Sequence, residues 1–395
     1  MTSLYVHIPF CLKRCIYCDF VSGIYDPRKA DAYIDALDKE VLNIPEKTQI
    51  STLFIGGGTP TALSVHALSN MIRNVFSRFS FIGDYEATIE ANPGTVDKDK
   101  FQAIRSSGIN RVSIGIQSFD DDELSLLGRI HSSDEAEQAV RLARDAGFKN
   151  IGTDLIYGIP GQDILSWRKT LEKAVRLKPE HISTYELTVE KGTLLYEYLM
   201  FRPQSPPSPR GRGTGGGGNK FTMPDEDKII EMYEHTIDYL TAEGYSHYEI
   251  SNFSLPGYEC KHNLNYWDRG EYYGIGLGAH SFMYGKRFHN TDNLEDYLKT
   301  ISEGKSTVKE TELITEEKAL SEAIFLGLRK TGGINLESFS KRYRVNVLGR
   351  FEKEIKEFQE AGLLEITESE CSYETTLRFT RKGLLLSNEV FARFI

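Results

Sequence analysis

The sequence predicts an α/β protein built on a partial (βα)6 barrel, with a small winged-helix-like domain at its C-terminal end. Strand and helix patterns alternate six times between Leu4 and about Val189. Polar residues recur where those strands finish, as they do at the active rim of a barrel. Beyond Thr315 the pattern changes to helices plus one short strand.

The candidate strands are Leu4–Ile8, Thr52–Ile55, Tyr85–Ala91, Arg111–Ile116, Ile151–Tyr157 and His181–Leu187. Each is short, rich in β-branched or aromatic residues, and bounded by Gly, Pro or Asn. Asp26-Pro27, a cap with Pro at the first helical position, precedes an apolar stripe at Ala30, Tyr33, Ile34, Leu37 and Val41. Leu68, Ile72, Val75, Phe76 and Phe79 form a second stripe. Ser132 and Glu135 have capping-box spacing ahead of Ala136, Val140 and Ala143. Six successive βα units imply a parallel sheet, open or closed into a barrel. Gly56–Thr59, Glu90, Gln117, Asp154 and Glu186 sit at or beyond strand ends, and Cys11–Cys18 follow the first strand in the same way. A rim shared by so many strands favours the barrel.

Arg202–Lys220 is Pro-rich and then Gly-rich, with no apolar period, and reads as a disordered insertion. Helical periodicity resumes over Asp225–Glu243, and a Gly-rich aromatic stretch runs from Asn252 to Phe282. Three helical patterns and a Leu377–Thr380 strand follow Thr315. The expected organisation is therefore a barrel over 1–200, the insertion over 201–220, a barrel extension over 221–305 and the C-terminal domain over 306–395.

A chain of 395 residues, 40% hydrophobic and 26% charged, has ordinary globular composition. Its net charge of -10 disfavours a general nucleic-acid binder. In the C-terminal domain, Lys341, Arg342, Arg350, Lys353 and Lys356 are interleaved with Glu352, Glu354, Glu357 and Glu360, the pattern of a solvated face. The N-terminus lacks the basic region of a signal peptide, and no stretch has the length of a membrane-spanning helix. A cytoplasmic protein with no integral membrane segment and no nucleic-acid partner is expected.

Five cysteines make an odd number, and Cys11, Cys15 and Cys18 lie within eight residues of one another. Such a cluster reads as a metal site rather than a disulfide framework. Cys260 and Cys371 stand apart, as small buried hydrophobes do. Three thiolates fill three corners of a cubane [4Fe–4S] cluster and leave one iron open to another ligand. Zinc is the alternative, with His7 as a fourth ligand. Taken alone, Arg129 reads as a cation at a helix end. By spacing alone His262 is a loop histidine next to two half-buried aromatics, and His280 is structural.

In sequence order, the Cys-x3-Cys-x2-Cys loop, Gly56-Gly57-Gly58-Thr59-Pro60 and the six βα units resemble the radical S-adenosylmethionine superfamily. Tyr-Val-His-Ile-Pro-Phe-Cys, Glu90-Ala-Asn-Pro-Gly, Ile-Gly-Ile-Gln117-Ser-Phe and Asp154-Leu-Ile-Tyr-Gly-Ile-Pro-Gly resemble its oxygen-independent coproporphyrinogen III oxidase family. The resemblance implies a TIM-like barrel of the radical SAM type, with a [4Fe–4S] cluster on Cys11, Cys15 and Cys18. It further implies S-adenosylmethionine at Tyr5, Tyr17, Gly57, Gly58, Thr59, Glu90, Gln117, Arg129 and Asp154.

Two local features divide that family. The oxidase carries a further cysteine two residues after the third, where this chain has Phe20. Lys261-His262-Asn263-Leu-Asn-Tyr266-Trp267 is similar to the His-Asn-x-x-Tyr-Trp motif of HemW-type haem chaperones. That likeness implies haem at His262, Tyr266 and Trp267, with transfer to an acceptor protein and with a haem donor as a further partner. The absence of Cys-x-x-Cys-His argues against covalent haem attachment. The rival expectations are a radical oxidase in haem biosynthesis, disfavoured by Phe20, and a nucleic-acid-modifying radical enzyme, disfavoured by charge.

Overall fold

The computed structural model describes residues 2–201, 222–368 and 374–394. Six strands form where the sequence places them: β1 (Thr2–Ile8), β2 (Gln49–Gly57), β3 (Ser80–Ala91), β4 (Arg111–Gln117), β5 (Ile151–Tyr157) and β6 (His181–Glu186). They lie side by side in chain order, and every pairing is parallel. Helices α1 (Pro27–Val41), α2 (Val65–Arg78), α3 (Lys98–Ser106), α4 (Asp121–Leu127), α5 (Ser133–Asp145), α6 (Ile164–Arg176) and α7 (Leu194–Phe201) make the crossovers. The end signals act as read. Asp26 accepts hydrogen bonds from the Arg28 and Lys29 amides, and Ser132 with Glu135 closes a capping box.

Alternation along the strands separates core from site. On β1, Leu4, Val6 and Ile8 are fully buried in the main core, while Tyr5 and His7 take the opposite face.

The second half of the chain extends the sheet at both edges. After α8 (Glu226–Ala242), β7 (Ser246–Glu249) and β8 (Asn252–Ser254) add antiparallel strands beyond β6. Helix α9 (Lys261–Trp267) then carries the chain to the other edge, where β9 (Tyr272–Ile275) pairs parallel with β1. Strands β10 (His280–Met283), β11 (Lys286–Asn290) and β12 (Val308–Leu313) continue antiparallel, giving a sheet of twelve. Helix α10 (Leu294–Ser302) lies between β11 and β12. A boundary at 306 would thus detach β12 from the sheet it belongs to.

The C-terminal part begins with α11 (Glu316–Leu328), β13 (Ile334–Asn335) and α12 (Leu336–Tyr343). Helices α13 (Val347–Arg350) and α14 (Glu352–Glu360) follow, then β14 (Leu364–Glu368) and β15 (Thr375–Phe379), which pair as an antiparallel hairpin with β13 beside it. Helices before a small hairpin sheet make the winged-helix-like arrangement. The expected Leu377–Thr380 strand overlaps the end of β15, whose last residue is Phe379 while Thr380 caps the next helix, and its two partner strands carry no such signal in the sequence. Glu322 of α11 ties this part to the sheet by accepting from Arg269 and Arg287. The expected disordered insertion and Cys371 lie outside the described residues. Among those residues, no helix is long and apolar enough to cross a membrane.

Candidate functional site

The cysteine loop leaves β1 at the C-terminal end of the parallel strands. Cys11 is buried, whereas Cys15 and Cys18 are half-buried. The Thr59 hydroxyl donates to Cys11 Sγ at 3.5 Å, and Arg129 Nη1 donates to Cys15 Sγ at 3.4 Å. Burial pushes the Cys11 and Cys18 thiols up, so these sulfurs want a positive partner. Among the described residues, no three His, Cys, Asp or Glu side chains gather around one point where a single ion could sit. Zinc draws its sulfurs in to about 2.3 Å from one centre. A cubane gives each of three thiolates its own iron and leaves a fourth iron open. His7 is no fourth ligand: its Nε2 donates to the Val21 carbonyl at 2.8 Å, and its Nδ1 accepts from the Tyr5 hydroxyl at 3.0 Å.

The glycine run is tied to this loop through the backbone. Gly58 and Thr59 donate to the Ile8 and Phe10 carbonyls at 2.8 Å, extending the β1–β2 ladder towards Cys11. A Cβ on Gly58 would stand 2.9 Å from backbone atoms of Ile8 and Phe10. Gly57 has φ +109°, and a Cβ there would meet the His7 ring at 2.4 Å. Its amide donates to Glu90 Oε2 at 3.1 Å.

Charged groups fill the adjoining interior. Burial, reinforced by the charge of Asp154, pushes Glu90 up to about 8. Asp154 is also raised, by burial, and accepts from the Ser113 hydroxyl at 3.1 Å. Arg111 is buried beneath them, with its Nε unpaired among the described residues. Gln117 takes φ +71° at an irregular register between β4 and β5, which turns its side chain back over Gly115. A non-glycine residue at positive φ is strain of the kind that gathers at working sites. Arg129 donates from Nη2 to the Gly115 carbonyl at 2.5 Å while Nη1 reaches Cys15, so it bridges barrel wall and cysteine loop rather than merely capping a helix. Desolvation raises the Tyr17 hydroxyl, which Arg129 also faces. His131, unremarked in the sequence, bridges Asn92 and the Ile116 carbonyl; burial and Arg129 push it down to about 3. Its only signal was two residues of spacing from Arg129. Of the nine residues expected to meet S-adenosylmethionine, Gly57, Gly58, Thr59, Glu90 and Gln117 stand at or just past strand ends, Tyr17 lies in the cysteine loop, Arg129 follows α4, and Tyr5 and Asp154 sit within β1 and β5.

The haem motif lies elsewhere. Helix α9 crosses where Ser3, Thr52 and Glu86 are in register on β1, β2 and β3. Glu86 accepts from the Lys261 and His262 amides, each at 3.1 Å. Thr52 gives its proton to Ser3 and therefore accepts from His262 Nδ1 at 2.8 Å. His262 Nε2 then accepts from the Tyr266 hydroxyl at 2.8 Å. The ring is 1% exposed, and burial pushes it down to about 3. A histidine expected to ligate iron has both nitrogens engaged; it holds Tyr266 in place.

Tyr266 and Trp267 themselves line a cavity of about 660 Å³ that also touches Tyr5, His7, Phe20 and Phe282. The wall is completed by Asp19 and Val21 from the cysteine loop, Arg269, Arg287 and His280 from the sheet extension, and Glu322 and Phe325 from α11. That volume is of the size that takes a cofactor.

Comparison with known proteins gives the family. Residues 5–174 match the radical SAM superfamily and residues 314–386 the HemN C-terminal domain. The heme chaperone HemW of Bacillus subtilis (strain 168) is 36% identical over 401 residues, covering 100% of this chain and 99% of that protein. The radical S-adenosyl methionine domain-containing protein 1, mitochondrial, of Bos taurus is 33% identical over 397 residues, covering 94% and 84%. The structure of coproporphyrinogen III oxidase (HemN) from Escherichia coli superposes with a TM-score of 0.81 at 22% identity, covering 100% of this chain and 89% of that one. At that identity it speaks for the fold alone.

Proposed function

The chain belongs to the HemW family of the radical SAM superfamily, and on that premise we propose that it is a haem chaperone handing haem to an acceptor protein. In this reading Cys11, Cys15 and Cys18 hold a [4Fe–4S] cluster, and S-adenosylmethionine lies beside the glycine run and Glu90. When bound, the cluster supplies an open iron for the amino-acid end of S-adenosylmethionine and an electron for its sulfonium. Arg129 holds the loop to β4, and the Gly57–Gly58 backbone packs close on His7, Ile8 and Phe10, which keeps the end of β2 against the cysteine loop. Glu90 keeps its proton near neutrality and can donate one hydrogen bond while Asp154 accepts others. A cytoplasmic setting is part of the same proposal.

The observation that carries the reading is the cavity: aromatic, adjoining the cysteine loop, and walled by Tyr266 and Trp267. Phe20 projects into it from the position where the oxidase family has its further cysteine. An apolar ring there suits packing against a porphyrin face, and a thiol for radical chemistry is missing at that point.

Anaerobic reconstitution followed by haem titration tests this. About four irons per chain and one saturable haem are expected, with iron lost in Cys15→Ala. Repeated turnover of coproporphyrinogen III would assign the oxidase reading instead. Stoichiometric zinc without sulfide would remove the cluster.

A further inference from the structure

We propose that His280 is the side chain that binds the iron of the haem held in this cavity. The inference rests on the chaperone reading and deepens it. His280 opens β10, and alternation places Phe282 on the same face. The β10–β11 register sets Arg287 opposite Phe282 and His289 opposite His280. His280, Phe282 and Arg287 all line the cavity. The hairpin reaches the cysteine loop because Gly278, at φ +64°, passes so near Val21 that a Cβ would lie 3.2 Å from it.

Of His7, His262 and His280, the first two are spent. His7 and His262 use both ring nitrogens in hydrogen bonds. His280 is exposed and has no hydrogen-bond partner among the described residues. Its ring stacks on His289 with centroids 5.0 Å apart. His289 is itself fixed, with Nδ1 3.1 Å from the Asn290 carbonyl and Nε2 3.6 Å from Glu310. The stack orients an imidazole whose nitrogens stay free, which is what a ligand to iron needs. Phe20, Phe282 and Trp267 offer apolar surface to a macrocycle, and Arg269 and Arg287, each bound to Glu322 through one nitrogen, set two cations against one carboxylate at the wall where its propionates would lie. Arg269 lies over the Phe282 ring at 4.5 Å, so cation and apolar surface are contiguous.

The test is haem titration of the full-length, cluster-loaded protein, read by Soret absorbance and low-temperature EPR. Replacing even an outer partner of a metal ligand costs about 10–100-fold in affinity, so His280→Ala should lose at least that. Its Soret maximum should also move, and added imidazole should restore the wild-type spectrum. His262→Ala should weaken binding through Tyr266 yet keep the wild-type ligation spectrum. If wild type binds saturably and His280→Ala matches it in affinity and spectrum, the assignment of His280 is wrong while the chaperone reading stands. Loss of the ligation signature in His262→Ala but not in His280→Ala also overturns it. If wild type binds no haem saturably, the chaperone reading itself fails.

Discussion

Gly57→Ala tests how the glycine run and the cysteine loop depend on each other. At φ +109° an L-residue is strained, at a cost of about 1–3 kcal/mol. Its Cβ would also sit 2.4 Å from His7 Cε1 and 2.5 Å from Nδ1, so the ring has to move. His7 cannot move freely, because Tyr5 and Val21 hold its two nitrogens. Breaking two such bonds costs about 1 kcal/mol each, and more if a buried nitrogen is left unpaired. The sum is about 3–5 kcal/mol. Gly83 supplies the control: it has φ +61°, and a Cβ there meets nothing within 4 Å. Gly83→Ala should therefore cost strain alone, about 1–2 kcal/mol. Urea unfolding followed by tryptophan fluorescence reads both variants, since Trp167 is fully buried on α6. Equal losses in the two variants, within about 0.5 kcal/mol, would show that the His7 ring does not confine the glycine. The reasoning would then be wrong.

Other expectations follow from buried charge and from the shared cavity wall. Glu90 titrates near 8 in the folded protein and in the ordinary carboxylate range when unfolded. Between those values the unfolded chain has lost a proton that the fold keeps, so stability falls as pH rises and levels off above about 8. Glu90→Gln should flatten that slope in denaturation at a series of pH values, and an unchanged slope would exonerate Glu90. Glu322→Ala strips the shared partner from Arg269 and Arg287 and should cost about 3–5 kcal/mol, with proteolysis of the C-terminal part rising first. A calorimetric loss below 1 kcal/mol would mean that solvent already screens the trio. Because Asp19, Phe20 and Val21 belong to the cysteine loop and also to the cavity wall, removing iron should weaken haem binding in titration. Identical affinity with and without iron would show that the loop keeps its shape unaided.

The barrel was legible because its signals are local. Period-2 apolar strands, the Asp26-Pro27 start and the Ser132–Glu135 box each act within a few residues, and each forms as read. The rim was legible for a related reason: a polar residue at a strand end needs no distant partner to declare it. The sheet extension hid because β9 pairs with β1 across more than 260 residues, and nothing in Tyr272–Ile275 announces a parallel neighbour so far away.

The two histidines of the second half show the same divide at the scale of one ring. Sequence spacing set His262 beside Tyr266 and Trp267, which is true on helix α9, yet spacing carries no information about what lies above the helix. Thr52 lies 210 residues away and takes Nδ1, and Tyr266 one helical turn on takes Nε2, so both nitrogens of the motif histidine are engaged. His280 looked like a structural residue among small neighbours. Those small neighbours, Gly276-Leu-Gly278-Ala, let the hairpin close on Val21 and bring to the cavity an imidazole with no side-chain hydrogen-bond partner among the described residues. A histidine's role depends on which of its nitrogens the fold leaves unpaired, and only long-range contacts decide that.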